Sequence, residues 1–118
     1  MLVCWKRDGT PNIVRPLSAG DVALTELEHS ADMLAEAESA ISAARHVAAA
    51  HDAAAPDRAA DLALAQAFCA DAFVFVAATN IQVHGGIGFT WEHPAHLYLR
   101  RARTDAQLFG DPAWHRER

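Results

Sequence analysis

The sequence predicts an all-α protein, an antiparallel bundle of three main helices, and three observations carry that prediction. Alanine supplies much of a hydrophobic fraction of 52%, and alanine loses no side-chain entropy in a helix while burying little area. Apolar residues recur three or four positions apart, the spacing of one helical face. Pro56, Gly85-Gly86-Ile87-Gly88 and Gly110-Asp111-Pro112 punctuate the chain, as residues that stop helices and open turns do. At 118 residues there is room for one small domain and not for two.

Residues 1–20 carry Gly9, Pro11, Pro16 and Gly20 without a sustained period and read as an irregular lead-in. Residues 21–118 read as the helical domain. A first helix is expected from about Asp21, its N-cap. Leu24, Leu27, Ala31, Leu34, Ala37, Ile41, Ala44 and Ala48 draw one apolar stripe along it, and the small residues on the stripe let a neighbouring helix come close. The segment 52–56 breaks this helix. Pro56-Asp57 opens a second, because proline tolerates the first turn and an acid there meets the positive end of the dipole.

The second helix is expected to run to about Val83. From Leu62 through Ala78 it is apolar on almost every side; Phe68, Cys69, Ala72, Phe73, Phe75 and Val76 cannot all face one neighbour. Such a helix belongs among several partners. Three helices leave part of it facing water, so the chain is expected to self-associate or precipitate unless a partner is present. The glycines after it read as a stop signal and a flexible loop. A third helix is expected from near Pro94 to before Gly110, and residues 112–118 have the composition to begin a fourth.

The formal charge of −5 argues against nucleic acid or an anionic membrane surface as a partner. Cys4 and Cys69 have no CxxC spacing, and the apolar neighbours of Cys69 point to a buried, inert thiol. No leader-like segment opens the chain and no apolar run is read as approaching the ~20 residues of a membrane span. A soluble, cytoplasmic protein is expected.

The informative stretch is 82–112, QVHGGIGFTWEHPAHLYLRRARTDAQLFGDP. Its three glycines allow a backbone to approach a ligand without Cβ obstruction, and exposed N–H groups in such a turn hold phosphate oxygens. The same GGxG pattern also serves as a helix C-cap and tight turn, so the glycines alone decide nothing. Their setting says more: Gln82, two residues, GGxG, Phe89-Thr90, then Glu92-His93-Pro94 opening a helix with paired arginines. This succession resembles the acyl-CoA dehydrogenase family, as does ADMLAEAESA at residues 31–40. The resemblance spans roughly residues 31–118 and is nearest to actinobacterial members with HGGIGFTWEH and LFGDPAWHR.

The resemblance implies the family's carboxy-terminal four-helix bundle, here incomplete, and a part in the α,β-desaturation of an acyl-CoA thioester. In that reaction a carboxylate takes the α proton and FAD takes the β hydride. It further implies that Gln82 contacts the adenosine half of FAD across a subunit interface, and that the backbone of Gly86, with Gly85 beside it, lies against the same portion of the cofactor. The implied partners are acyl-CoA dehydrogenase subunits, in a homo- or hetero-oligomer, and the acyl-CoA substrate of the complete enzyme. Arg100 matches a recurrent family arginine, for which a structural ion pair is expected.

Departures from the pattern bear on activity. The position of the family's catalytic glutamate corresponds to Phe109, which cannot accept a proton, and the family's threonine and glutamine beyond it correspond to Asp111 and Ala113. No catalytic residue is assigned. Two functions follow: a fragment of a flavin-dependent acyl-CoA dehydrogenase, inactive alone, or a non-catalytic helical subunit that lends its GGxG loop to a complete dehydrogenase. His93 and His96, with His84 and Glu92 near, lack the further ligands a zinc site needs, so no metal is expected. Arg100, Arg101 and Arg103 read as a solvated face or intersubunit ion pairs. Trp5, Trp91 and Trp114 are too scattered for a nucleic-acid stacking platform.

Overall fold

The computed structural model describes the backbone of residues 3–5, 11–13 and 19–117, and the side chains of residues 27–117. In chain order the elements are β1 (Val3–Trp5), β2 (Pro11–Ile13), α1 (Ala19–Asp52), α2 (Arg58–His84), a 3₁₀ turn (Gly85–Phe89), α3 (Ala95–Leu108) and α4 (Pro112–Arg116). The helical domain is as expected, including the short fourth helix. The lead-in is not wholly irregular, because β1 and β2 pair antiparallel with Val3 opposite Ile13 and Trp5 opposite Pro11. Three-residue strands are too short to show a period in sequence. Helix α1 starts at Ala19, so Asp21 lies within its first turn and is not the N-cap.

The α1–α2 turn is closed by backbone bonds. The Ala54 N–H donates to the His51 carbonyl at 3.0 Å and the Ala55 N–H to the Ala50 carbonyl at 2.9 Å. This is the Schellman pattern, and its left-handed residue is Ala54, at φ 51°, where glycine is usual. Helix α2 then starts at Arg58, with Asp57 as an N-cap residue whose side chain makes no capping bond.

Helix α2 is the centre of the fold and packs against α1, α3, α4 and the 3₁₀ turn. Asp61 and Cys69 meet His46 and Ala40 of α1, the Cys69 S–H donating weakly to the Ala40 carbonyl at 3.6 Å. Asp71 meets Arg116 of α4 in an ion pair. Cys69 is half-buried, less so than its neighbours suggest, yet burial still pushes its thiol upward in pKa and keeps it in the unreactive form. Among the described residues the buried apolar side chains are Ala67, Ala72, Ala77, Ile81, Ala95, Ala102 and Ala106, all alanine except Ile81. Alanine at these positions brings helix backbones close together while removing little apolar area from water.

Two expectations are corrected here. The residues of α1 turned toward its neighbours are Met33, Ala37, Ala40, Ala43 and Val47, all half-buried. On the expected stripe, Leu27 is 67% exposed, Leu34 62% and Ile41 42%. Ala37 belongs to both sets, and Ala44 and Ala48 of the stripe border Leu62 of α2, so the stripe is right at these alanines and wrong at Leu27, Leu34 and Ile41. Second, residues 58–89 form a helical segment long and apolar enough to cross a membrane by length and composition, contrary to the reading that no run approaches that length. The same composition suits a helix with neighbours on several sides, and Asp71 in its middle holds an ion pair with α4.

The end of α2 approaches the following turn so closely that a Cβ on Gly88 would stand 2.5 Å from the Ile81 carbonyl oxygen. Gly88→Ala is therefore expected to destabilise the chain by about 1–3 kcal/mol, the usual cost of overpacking. Ala54→Gly is expected to stabilise it by about 0.5–1 kcal/mol, since it relieves a left-handed alanine and adds some backbone entropy cost. Urea unfolding followed by circular dichroism checks both signs.

Candidate functional site

The glycine segment is a bonded turn rather than a flexible loop. His84, the last residue of α2, donates from Nδ1 to the Asn80 carbonyl at 2.7 Å. The Gly85 N–H donates back to the Gln82 carbonyl, and Thr90 closes the far side with its hydroxyl and N–H both donating to the Ile87 carbonyl, at 2.7 and 3.0 Å. This fixes the direction in which the chain leaves α2 and enters α3.

The three glycines of the GGxG pattern have separate reasons to be glycine. Gly85 has φ +64°, a conformation in which a Cβ is strained. Gly88 is required by the Ile81 contact. Gly86 has neither reason: its φ is not left-handed and a Cβ there would meet nothing within 4 Å. Nothing within the described chain demands glycine at this exposed position. One turn before it, Gln82 is half-buried, and its side-chain amide makes no hydrogen bond among the described residues. The open Gly86 backbone and the unused Gln82 amide lie at the same end of α2.

Histidines and an aromatic–cation contact flank the turn. The His84 and His93 rings lie 4.2 Å apart. His93 Nδ1 accepts the Ala95 N–H at 3.2 Å, and His96 Nδ1 donates to the His93 carbonyl at 2.7 Å. With one nitrogen of each ring committed to backbone, the three histidines serve the junction, and no group of three metal-ligating side chains occurs among the described residues. Trp91, 81% exposed, is held edge-on by His96 at 4.8 Å and lies under the Arg100 guanidinium at 5.9 Å. The ion pair expected at Arg100 is found instead at Arg101, which grips Asp105 with two bonds of 2.9 Å. Sequence reasoning missed the Trp91–Arg100 contact because a turn, not a helical period, brings the two together.

Phe109 stands at the opposite end of α3, whose 14 residues span about 21 Å. Its side chain is 67% exposed. The nearest acid in sequence is committed elsewhere: Asp111 Oδ1 accepts the Trp114 N–H at 2.7 Å and caps α4. Gly110, at φ +99°, leaves no room for a Cβ beside the Trp114 ring. The buried His115 donates from Nε2 to the Phe109 carbonyl at 2.9 Å. This end of α3 is built as a docking corner for α4. An open groove of about 890 Å³, lined in part by Phe68, Phe75, Arg103 and Arg116, lies between α2, the second half of α3 and α4.

Comparison with known proteins agrees with this geometry in placing the recognisable signal in the helical domain. Two curated relatives, the acyl-CoA dehydrogenases IpdE2 of Mycolicibacterium smegmatis and of Mycobacterium tuberculosis, are each 48% identical over 50 residues, covering 42% of this chain and 16% of theirs. Acyl-CoA dehydrogenase FadE34 of Mycobacterium tuberculosis is 50% identical over 53 residues, 42% of this chain and 8% of its own. The chain thus aligns with a small part of the length of the curated relatives it matches. No solved structure gives a significant match. The family model for the acyl-CoA dehydrogenase C-terminal domain matches residues 26–118, and the chain belongs to the acyl-CoA dehydrogenase family through that domain.

Proposed function

We propose that this chain is the carboxy-terminal helical part of a flavin-dependent acyl-CoA dehydrogenase, inactive by itself, whose Gln82–Gly86 turn lies against the adenosine half of FAD in the assembled enzyme. The observation that carries the reading is Gly86, a glycine with no conformational or packing reason within the chain. A backbone left open on that side suits close approach by a flat group from outside. Gln82, with its amide unused, has both donors and an acceptor to offer an adenosine. Gly85 contributes by turning the chain at φ +64° so that Gly86 stays exposed.

In the assembled enzyme, FAD would supply the hydride acceptor for Cα–Cβ desaturation of an acyl-CoA. This chain's own contribution is binding and orientation. General-base catalysis needs a positioned carboxylate; Phe109 offers none, and Asp111 is spent capping α4. The same observation favours a second reading, a non-catalytic helical subunit paired with a complete acyl-CoA dehydrogenase. Translation of the DNA upstream separates the two: an out-of-frame middle domain marks a broken reading frame, and its absence a dedicated subunit. A cytoplasmic setting and oligomeric assembly form part of both readings.

The purified chain alone is expected to be colourless and to reduce no dye with any acyl-CoA; a flavin absorbance band would overturn the proposal of inactivity. Co-expressed with a complete family member with which it assembles, Gly86→Val is expected to lower the flavin-to-protein ratio while circular dichroism stays unchanged. Gln82→Ala is expected to weaken flavin retention by roughly 0.5–1.5 kcal/mol, one net hydrogen bond. His96→Ala, with no cofactor role, serves as the control. Full flavin occupancy in the Gly86→Val complex would reduce the turn to a helix terminator.

A further inference from the structure

We infer that Trp91 is the stacking residue for the adenine ring at the Gln82–Gly86 turn, with Arg100 fixing the plane of its indole. The inference deepens the proposed function and rests on its placing the adenosine half of FAD at that turn. Trp91 is 81% exposed, more than any other large apolar side chain among the described residues. It is nonetheless held. The Arg100 guanidinium lies over the ring, 5.9 Å from its centroid, within the range of a cation–π contact. His96 meets only the ring edge, at 4.8 Å, so its removal leaves the indole seated on Arg100. Among the described residues no other ring lies against Trp91, and the face opposite Arg100 is open. An indole fixed in this way has lost its rotamer freedom before a ligand arrives, so stacking on it costs less ordering.

The neighbouring features select a nucleotide. From Gly86 the chain reaches Trp91 through the rest of the 3₁₀ turn, which ends at Phe89, and two further residues. At about 2 Å per residue in the turn and about 3.6 Å beyond it, the two backbones lie within about 13 Å of each other. One nucleotide and the Trp91 side chain together bridge that span. Gln82 offers an amide to the edge of a base, Gly86 an open backbone and Trp91 a ring face. Edge hydrogen bonds and stacking on the plane are separate needs of one base, and no single residue meets both. Arg100 has no carboxylate partner among the described residues, unlike Arg101, which holds Asp105. Its uncompensated charge favours a ligand that carries phosphates over a neutral apolar segment of a partner protein.

The test is titration of FAD into the flavin-free complex of this chain with a complete family member, with circular dichroism and the yield of complex recorded for each variant. Trp91→Ala is expected to raise the FAD dissociation constant about fivefold or more, the low end for loss of one base–aromatic stack. Trp91→Leu is expected to lose as much, because leucine keeps apolar bulk and has no π-face. Trp91→Phe is expected to recover most of the affinity. The position is exposed, so helix content should hold in all three. Gly86→Val separates this inference from the reading it rests on. If Gly86→Val releases flavin and Trp91→Ala does not, the turn binds FAD and the stacking inference is wrong. If neither does, the flavin reading has failed as well. Equal affinity in Trp91→Leu and Trp91→Phe also overturns the inference. So does a Trp91→Ala variant that loses complex while the complex that forms keeps its flavin, since Trp91 then serves the partner chain.

Discussion

The close approach of helix backbones through alanine governs the rest of this structure. Among the described residues, Ala67, Ala72 and Ala77 on α2 and Ala95, Ala102 and Ala106 on α3 are buried, and Ile81 is the one larger apolar side chain that joins them. A methyl group lets two helices come near, but it removes far less apolar surface from water than a leucine or phenylalanine does. The large residues have therefore been displaced to the periphery. Leu27, Leu34, Leu62, Leu64, Phe68 and Phe73 keep much of their surface exposed. A core of this kind holds helices in position and leaves most of the available hydrophobic free energy to be realised in contacts with something else.

That division explains how α2 combines two properties that otherwise conflict. Its composition is that of a membrane-spanning helix, yet it carries Asp61 and Asp71, each engaged with a neighbouring helix. An apolar circumference is what a central helix needs when partners approach from several directions. Helix α1 is similar, with Met33, Ala37, Ala40, Ala43 and Val47 half-buried and Leu27, Leu34 and Ile41 exposed. The short helix α4 packs on α2 and is tied down by two polar contacts, Arg116 to Asp71 and His115 to the Phe109 carbonyl.

The two ends of α3 have been given different work by their local chemistry. At the start, imidazole nitrogens and backbone bonds brace a turn that leaves Gly86 open. At the other end, Gly110, Asp111 and His115 consume their polar groups in docking α4. In the family to which the chain belongs, that end is the expected place of a catalytic carboxylate. Here Phe109 stands at that place and Asp111 caps α4, which is the reason the proposed function assigns binding to this chain.

The sequence by itself determined the helical class, the four helices to within a few residues, and the family, because alanine bias, apolar period and glycine–proline punctuation are local and the motif after α2 is contiguous. It also singled out Gln82, Gly85 and Gly86, though not the reason each is what it is. The strand pair was invisible because three residues carry no period. The face of α1 that meets α2 was misjudged at Leu27, Leu34 and Ile41, because periodicity counts every apolar residue alike and does not say which of two adjoining apolar faces a neighbour covers. Only the tertiary structure separated the three glycines, since the difference between Gly86 and Gly88 is whether the Ile81 carbonyl stands 2.5 Å from an added Cβ. That distance depends on how the turn folds back on α2, which no local pattern encodes.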